Sequence, residues 1–310
     1  MLEKLTIKVI PFFLVISLLL TCLVPVTTIA HNKVVVIPMF ESAVKPENLI
    51  LVAKNNGDFD NPVDAMNSIT DASEDNRYRI HIEPGQFQLT ERLIMKEWVD
   101  VIGSGSIGEN RRTSLLGSSC TTGLDAGSSI VEGAANSGIS SLIIVNIGTG
   151  GINTNCIALY VSDGDFGAEN VVLLSQGGVN NIGIVVDGSG TASFANTLVK
   201  IDDEDAEDNI ALISTGDSRQ ILIFLSEFSG IKANSDNLAI FNASTTSLIF
   251  VFNSSIEGGN FSVRNFSGTV DLNEVLEKGG FLNSGTMECS DVASRDAFSF
   301  YTSGCLFPPP

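Results

Sequence analysis

The chain has 310 residues, with 36 Asp and Glu against 17 Lys and Arg, which gives a formal net charge of −19 at pH 7. This charge excludes non-specific binding to nucleic acid, because phosphate backbones attract clustered cationic side chains. It also disfavours tight association with anionic polymers unless cations bridge the two. The only histidines are His31 and His81 and the cysteines are not clustered, so we expect no zinc site.

The first 30 residues have the pattern of a secretory signal peptide. Lys4 and Lys8 precede the apolar run 9–26, and Thr28 and Ala30 supply small residues at the −3 and −1 positions of a cleavage site. We therefore predict a secreted, extracellular or cell-surface protein, or a periplasmic one, with no membrane association beyond the signal peptide. An uncleaved anchor and a lipoprotein modified at Cys22 are the alternatives.

A short helix and the first strands are predicted next. Asn61 suits an N-cap and Pro62 the first helical position, and one helical face collects Ala65, Met66, Ile69 and Ala72. We expect this helix to cover the open N-terminal end of the core. The alternation in YRIHI (78–82) predicts a strand with Arg79 and His81 directed to solvent. Further strands are predicted within 86–105 and 113–117, and an irregular coil over 118–141.

Residues 142–272 contain a repeat, in which short Val, Ile and Leu runs recur every 23 to 29 residues. One series consists of IALYV (157–161), GIVVD (183–187), IALIS (210–214), LAIFN (238–242) and FSVRN (261–265). A second series alternates with it and consists of LIIV (142–145), VVLL (171–174), TLVKI (197–201), ILIFL (221–225) and LIFVF (248–252). Two interleaved strand series with one period predict one coil per repeat, which is a parallel β-solenoid.

Asparagines and phenylalanines accumulate in the last coils. Four N-x-S sequons begin at Asn242, Asn253, Asn260 and Asn265. We interpret these asparagines as turn residues that hydrogen-bond between coils, with glycosylation as the alternative. Alternation along the strands predicts a stacked aromatic core rather than a sugar-binding strip for Phe224, Phe228, Phe241, Phe250, Phe252 and Phe261.

The repeat is lost after residue 272. We therefore divide the chain into a signal peptide (1–30), a β-helix with its N-terminal cap (31–272) and a C-terminal cap or tail (273–310). Four cysteines remain after cleavage, and an even number suggests disulfides in an exported protein. We favour Cys289 with Cys305, which would staple the tail. Cys120 with Cys156 would then link neighbouring coils.

The N-terminal coils carry a family resemblance. The stretches VAKNNGDF (52–59), IHIEPGQFQL (80–89), RLIMKEWVDVIGSG (92–105) and TSLLG (113–117) resemble the opening of pectinesterase-like proteins of the pectin lyase superfamily. The later repeats resemble those of exported β-helix repeat proteins in the same superfamily. The resemblance implies a right-handed parallel β-helix over residues 50–272. It does not settle activity, because this superfamily includes esterases, lyases, hydrolases and non-catalytic binders.

The catalytic motifs that the resemblance would imply are missing. Pectinesterases use a nucleophilic Asp, an Asp acid/base and glutamines that hold the oxyanion, in motifs such as Q-D-T and D-F-x-F-G. This sequence has no Q-D pair, and its nearest fragment is DGDFG (163–167), for which a turn is the alternative. The G-H-G of polygalacturonases is also absent. We therefore assign no catalytic residue.

The densest charge lies in IDDEDAEDN (201–209). Hard oxygen ligands suit Ca²⁺ and like charges at this density favour a counter-ion, so we name Asp202, Asp203 and Asp205 as candidate calcium ligands. A bound calcium would serve lyase chemistry, and the candidate bases are then Lys200, Arg219 and Lys232. A hydrated loop without metal is the alternative.

The sequence predicts a single right-handed parallel β-helix with an N-terminal helical cap. We expect an exported, non-catalytic protein that binds an extended glycan or acts as an adhesin-like module. The first alternative is a polysaccharide-active enzyme, either a calcium-assisted pectate-type lyase or a diverged pectinesterase. The second is a structural surface scaffold. No cofactor is expected apart from the candidate calcium ion, and the oligomeric state is left open.

Overall fold

Three parallel sheets wrap around one core. The computed structural model describes residues 48–106, 112–151, 153–217, 219–294 and Cys305, and the predicted signal peptide lies outside this part. Within it, 28 strands form sheets of ten, nine and nine strands, in which neighbours come from successive coils. Strand pairing is parallel except at Cys120–Thr121, which pairs antiparallel with Asn155–Val161. The chain is a right-handed parallel β-helix, which confirms the predicted fold class.

Each sheet takes one strand from successive coils. The first sheet contains Asn48–Val52, Tyr78–Ile82, Val99–Gly103, Ser137–Ser140, Phe166–Glu169, Gly190–Ala195, Arg219–Phe224, Leu248–Phe252, Thr269–Asn273 and Thr286–Ser290. The second contains Gly85–Gln88, Thr113–Gly117, Ile143–Ile147, Val172–Gln176, Leu198–Ile201, Glu227–Gly230, Ser255–Gly258, Leu276–Lys278 and Ala293–Ser294. The third contains Leu93–Ile94, Ser129–Gly133, Asn155–Val161, Asn180–Val186, Asp208–Ser214, Asn237–Asn242, Phe261–Asn265, Phe281–Asn283 and the antiparallel Cys120–Thr121.

Each full coil has three strands, whereas the sequence predicted two. The runs LIIV, VVLL and TLVKI lie in the second sheet, but ILIFL and LIFVF lie in the first, so the predicted second series mixes two sheets. The strands that were missed are short and contain few large apolar residues, such as FGAE (166–169), EFSG (227–230) and SIEG (255–258). In such strands one or two inward residues make the whole contribution to the core, which leaves almost no hydrophobic pattern.

The core is built from side chains that stack in register. One ladder along the first sheet takes one inward residue from each of nine coils, namely Ile80, Val101, Ile139, Ala168, Phe194, Ile223, Val251, Leu272 and Cys289. Adjacent strands lie about 4.8 Å apart, so these side chains contact each other directly. Each fully buried aliphatic side chain contributes roughly 1.5–3 kcal/mol. A slip of one residue would expose the whole ladder.

The predicted capping helix is confirmed at Pro62–Ser68. Val63 N donates a hydrogen bond to Asn61 Oδ1 at 2.9 Å, and Pro62 occupies the first turn. The apolar face packs on the end of the core through Ala65, Met66 and Ile69. No helix in the part of the chain that the structure describes is long and apolar enough to span a membrane.

The sheets continue past residue 272, where the sequence placed the end of the β-helix. Thr286–Ser290 and Ala293–Ser294 extend the first and second sheets. The period fails there because the turns shorten. Ile221 pairs with Ile249, 28 residues on, whereas Val270 pairs with Met287, only 17 residues on. The segment 273–310 therefore begins with further coils rather than with a separate cap.

Two disulfides link the pairs favoured from the sequence. Cys120 is bonded to Cys156, which lies opposite it across the antiparallel pair of strands. Cys289, the last member of the interior ladder, is bonded to Cys305. Two such bonds are typical of a protein that folds in an oxidising compartment.

In seven successive coils, one residue with a left-handed backbone turns the chain from the first sheet into the second. Its φ lies between 46° and 56° at Ser141, Asn170, Asn196, Leu225, Asn253, Glu274 and Asp291. Asparagine tolerates this conformation better than other side chains, and Asn196 Nδ2 donates to Asn170 Oδ1 of the preceding coil. At another turn Asn242 Nδ2 donates to Asn265 Oδ1 at 2.9 Å, which confirms the predicted hydrogen bonding of asparagines between coils.

A buried arginine joins three successive turns between the third and first sheets. Arg219 is fully buried, and its Nη1 donates to Gly164 O at 2.9 Å and to Ser189 O. Burial lowers the pKa of Arg219, and this shift is opposed by the charges of Asp163, Asp165 and Asp187. The guanidinium therefore offsets the repulsion between turns that would otherwise stack carboxylates on each other.

Asp187 accepts three hydrogen bonds in the same turns. The donors are Tyr160 Oη at 2.7 Å, Gly188 N at 2.9 Å and Thr215 Oγ1 at 3.2 Å. Partial burial raises the pKa of the Asp187 carboxyl, but these bonds and the charge of Arg219 outweigh it and hold the pKa below its ordinary value of 3.8. Burial and the bond to Asp187 raise the pKa of Tyr160, which keeps the phenol protonated.

The lowered pKa makes one contribution to stability dependent on pH. We expect Asp187→Asn to lower the free energy of unfolding by about 1 kcal/mol at neutral pH, the usual net worth of such bonds. The deficit should be complete above pH 3.8, the ordinary value, and should shrink as pH falls through the lower folded pKa. Urea unfolding across that range measures it, with the exposed Asp217→Asn as control. A deficit that does not change with pH would contradict the assignment.

Candidate functional site

A shallow groove runs along the outer face of the first sheet. Two outward rows from four consecutive strands line it, and the rows pair in register as Asp100, Gly138, Gly167 and Ser193 and as Ile102, Ser140, Glu169 and Ala195. The groove has a volume of about 300 Å³. It exists because five of its eight outward side chains are glycine, alanine or serine, so the surface lies close to the backbone of the sheet.

The glycine at the centre of the groove has no conformational reason to be there. A Cβ added at Gly167 would meet only Ser193 Oγ, at 3.6 Å, and the backbone of Gly167 is not left-handed. A Cβ at Gly138 would lie 3.2 Å from Gly167 O, which is tighter. Glycine in a strand weakens the strand and often marks a close approach by a ligand or another backbone. The open floor therefore leaves room for a ligand or another backbone to approach the sheet closely.

The rim of the groove is polar and carries two carboxylates. Glu169 is exposed, and Asn170 Nδ2 lies 3.5 Å from its Oε1. Asp100 lies on the opposite row, beside Gly138. Ser140 and Ser193 add hydroxyl groups that both donate and accept hydrogen bonds. The combination suits a ligand with many hydroxyl groups.

Bulky side chains bound the groove at both ends. At the N-terminal end, Arg79 pairs in register with Asp100 and His81 with Ile102. His81 Nε2 lies 3.4 Å from Ser104 Oγ. That hydroxyl donates its proton to Ile82 O at 3.0 Å, so it does not donate to His81. This pair therefore does not have the geometry of an activated nucleophile.

At the C-terminal end the groove meets an apolar surface, which we call the aromatic platform. Its members lie outward or at the adjoining turn and are Leu222, Phe224, Leu225, Phe250 and Phe252. Ser193 pairs with Leu222 and Ala195 with Phe224, so the platform continues both rows of the groove. The aromatic core predicted from the sequence is correct for the buried Phe228 but wrong for Phe224, Phe250 and Phe252. The alternation in LIFVF places Ile249 and Val251 inside instead.

The acidic turn 202–207 is held by protein groups. Asp202 Oδ2 lies 3.0 Å from Lys200 Nζ and 3.9 Å from Lys232 Nζ. Asp203 Oδ2 accepts from Gly177 N at 2.6 Å and from Asn181 Nδ2 at 3.2 Å, and its Oδ1 accepts from Asp205 N at 3.1 Å.

These contacts use oxygens that a cation would need. Across the described residues, no group of three or more His, Cys, Asp or Glu side chains is placed to hold a metal ion. A calcium site at Asp202, Asp203 and Asp205 therefore stays a prediction from charge density. Of the three candidate bases, Lys200 and Lys232 reach this turn. Arg219 does not, because it is buried at a different corner of the coil.

The DGDFG fragment is divided between a turn and a strand. Asp163 Oδ1 accepts from Ser189 N at 2.7 Å and Asp165 Oδ1 accepts from Thr191 N at 2.8 Å, so both carboxylates brace the next coil. Phe166 points into the core and Gly167 forms the floor of the groove. The sequence analysis did not identify the groove. The signal in the sequence was a set of small outward residues at matching positions of successive coils. Recognising it requires the pairing register of the strands, which the sequence does not give.

Pectin methylesterases are among the solved structures that share this fold. The enzyme from Erwinia chrysanthemi is 15% identical with a TM-score of 0.57, and the match covers 83% of this chain and 91% of that one. The enzyme from Aspergillus niger is 9% identical with a TM-score of 0.57, covering 85% and 93%. A mutant pectin methylesterase in complex with a hexasaccharide is 15% identical with a TM-score of 0.53, covering 84% and 92%.

The sequence itself matches no protein-family model and no curated protein. At identities this low the structural likeness shows the fold alone, a parallel β-helix that this chain shares with these pectin methylesterases. The activity of this chain has to be argued from its own residues.

The contacts of Asp203 predict a structural role for this carboxylate. We expect Asp203→Ala to lower the free energy of unfolding by about 1–3 kcal/mol, because Gly177 N and Asn181 Nδ2 lose their acceptor. Denaturant unfolding with excess calcium and with a chelator measures the loss, which should be the same in both. Glu204→Ala, at a largely exposed position, should change stability by less than about 0.5 kcal/mol. A calcium-dependent gain in the wild type that Asp203→Ala abolishes would instead establish a metal site.

Proposed function

We propose that the protein binds an extended polysaccharide along the outer face of the first sheet, in the groove over Gly138, Gly167 and Ser193. The floor of small residues carries this proposal, because Gly167 is required neither by its backbone conformation nor by packing. A rigid sheet with a shallow trough and convergent polar groups suits a ligand that stays extended. A pectin methylesterase of the same fold is described in complex with a hexasaccharide, so a β-helix of this kind accommodates such a ligand.

The charge of the groove narrows the ligand class. Its eight outward residues include Asp100 and Glu169 but no lysine or arginine, and the whole chain carries a net charge of −19. Away from Arg79, which borders the N-terminal end beside Asp100, these carboxylates would repel a polyuronate but not a neutral polysaccharide or a methyl-esterified uronan. The hydroxyl groups of such a polymer would be hydrogen-bonded by Ser140, Ser193 and the two carboxylates. The two disulfides accord with an exported protein that meets such polymers outside the cell.

Filling the groove should weaken binding without harming the fold. We expect Gly167→Leu to weaken binding at least tenfold, because the added side chain would occupy the floor where a sugar ring lies. Isothermal calorimetry or affinity electrophoresis with methyl-esterified pectin and neutral glucans measures it. Thr286→Leu, at an exposed position of the same sheet beyond the groove, is the matched control and should bind like the wild type. Equal binding by both variants would place the ligand elsewhere.

A polysaccharide-active enzyme is the second candidate, because the groove carries two carboxylates, Asp100 and Glu169, on strands that flank the strand of Gly138 and Ser140. Glycan hydrolysis and related eliminations commonly use a pair of carboxyl groups as acid, base or nucleophile. The pectin methylesterase neighbours make ester hydrolysis the first reaction to examine. The Q-D pair of pectinesterases is absent from this chain, so Asp100 and Glu169 would have to supply the chemistry differently.

Product analysis separates a binding protein from an enzyme. If the groove is catalytic, the wild type releases methanol from esterified pectin, or forms new reducing or unsaturated ends. Glu169→Gln and Asp100→Asn should then lose at least a hundredfold in kcat while still binding polymer. Binding by the wild type without any product would exclude enzymatic activity on these polymers and support a non-catalytic binding protein. Absence of both binding and turnover would favour a structural scaffold.

A further inference from the structure

We infer that the aromatic platform is a stacking subsite that selects uncharged pyranose rings at the C-terminal end of the groove. This inference rests on the proposed function and deepens it, because it names the residues that would distinguish uncharged from charged sugar rings. The groove supplies polar contacts to the edge of a sugar ring. The platform supplies the apolar contact to its face, which polar residues do not provide.

The geometry of the phenylalanines leaves one ring face directed toward the groove. Phe224 stacks on Phe252 with ring centroids 5.4 Å apart and an interplanar angle of 9°, and Phe250 lies nearly parallel to Phe252 at 12°. Phe252 lies one coil further along the helix than Phe224. The opposite face of Phe224 is therefore directed toward the preceding coil. There its partner in register is Ala195, a small residue that lines the groove.

Leu225 gives an independent indication that this surface is used. It adopts φ 48° at the corner where neighbouring coils place Asn196 and Asn253, and its side chain is 68% exposed. A leucine in the left-handed region is strained, and here it does not fill the core. Strained residues persist mainly where function retains them. At this corner the leucine extends the apolar surface beside Phe224.

The surroundings of the platform fix the charge of its ligand. Its five residues include no basic side chain, and the next strand places Asp271 opposite Phe250 and Asn273 opposite Phe252. A membrane surface rich in anionic lipid would be repelled by this edge. A sugar ring with a free carboxylate would meet an apolar face and an acidic border, whereas an uncharged ring buries its C–H groups without that cost.

Substitutions at two positions test the platform, and one of them should also raise stability. Phe224→Ser should weaken binding of a methyl-esterified oligogalacturonide about tenfold, and Phe224→Trp should restore it. Leu225→Asn should weaken binding several-fold but raise the thermal midpoint, because asparagine suits the left-handed turn. The wild type should discriminate at least tenfold against the de-esterified oligogalacturonide of the same length. Binding is measured by calorimetry and stability by thermal unfolding.

The matched control removes a phenylalanine from another face. Phe266 is 47% exposed at a turn that follows the third sheet, so Phe266→Ser should leave saccharide binding unchanged. If Phe224→Ser and Leu225→Asn bind like the wild type while Gly167→Leu does not, the groove remains supported as the binding site. The inference about the platform is then overturned. If no saccharide binds the wild type, the proposed function itself fails. A dimer that Phe224→Ser dissociates, with saccharide binding unchanged, would assign the platform to a second copy of the chain.

Discussion

Parallel pairing between successive coils is the constraint on which this molecule depends. Residues that share a ladder, from Ile80 to Cys289, must be apolar in every coil because they pack on each other at the spacing of the strands. The outward residues of the same strands carry no such requirement. Phe166 and Ala168 face the core while Gly167 between them forms the floor of the groove. The inward residues of each strand therefore determine the fold, and the outward residues between them form the groove. Substitution of an outward residue leaves the packing of the core unchanged.

The parts of the fold that the sequence predicted are those where several large aliphatic residues adjoin. Strands of the third sheet such as Asn155–Val161 and Asn180–Val186 have this strong signal, and the capping helix was predicted from Asn61 and Pro62 at its start. The strands FGAE and SIEG have one or two inward residues, and the coils after 272 have shortened turns, so a search at a fixed period misses them. The groove was invisible for a related reason. Its residues are ordinary glycines and serines until the register aligns them.

The acidic turn and the proposed groove lie in different parts of the coil, and Asp203, Asp205 and Glu207 of the turn line a separate pocket of about 600 Å³. The acidic turn is the most conspicuous polar feature of the sequence, yet Asp203 accepts its hydrogen bonds from the same chain and Asp202 lies beside two lysines. The groove has only two carboxylates and lies on a regular sheet. The turn hydrogen-bonds to the neighbouring coil, and the sheet has a polar stretch followed by a partly exposed apolar stretch on its outer face. That division favours recognition of a polymer over binding of a compact ligand.

The bond between Cys289 and Cys305 also bears on how the β-helix terminates. The last coil of an open solenoid presents unpaired strand edges, to which a coil from another molecule could add. Cys289 lies in the last strand of the first sheet within the described residues, and its covalent bond holds Cys305 beside that strand. A covalent link at this end of the sheet restrains the coil to which such an addition would have to pair. Reducing conditions would remove this restraint while the interior ladder above it remained paired.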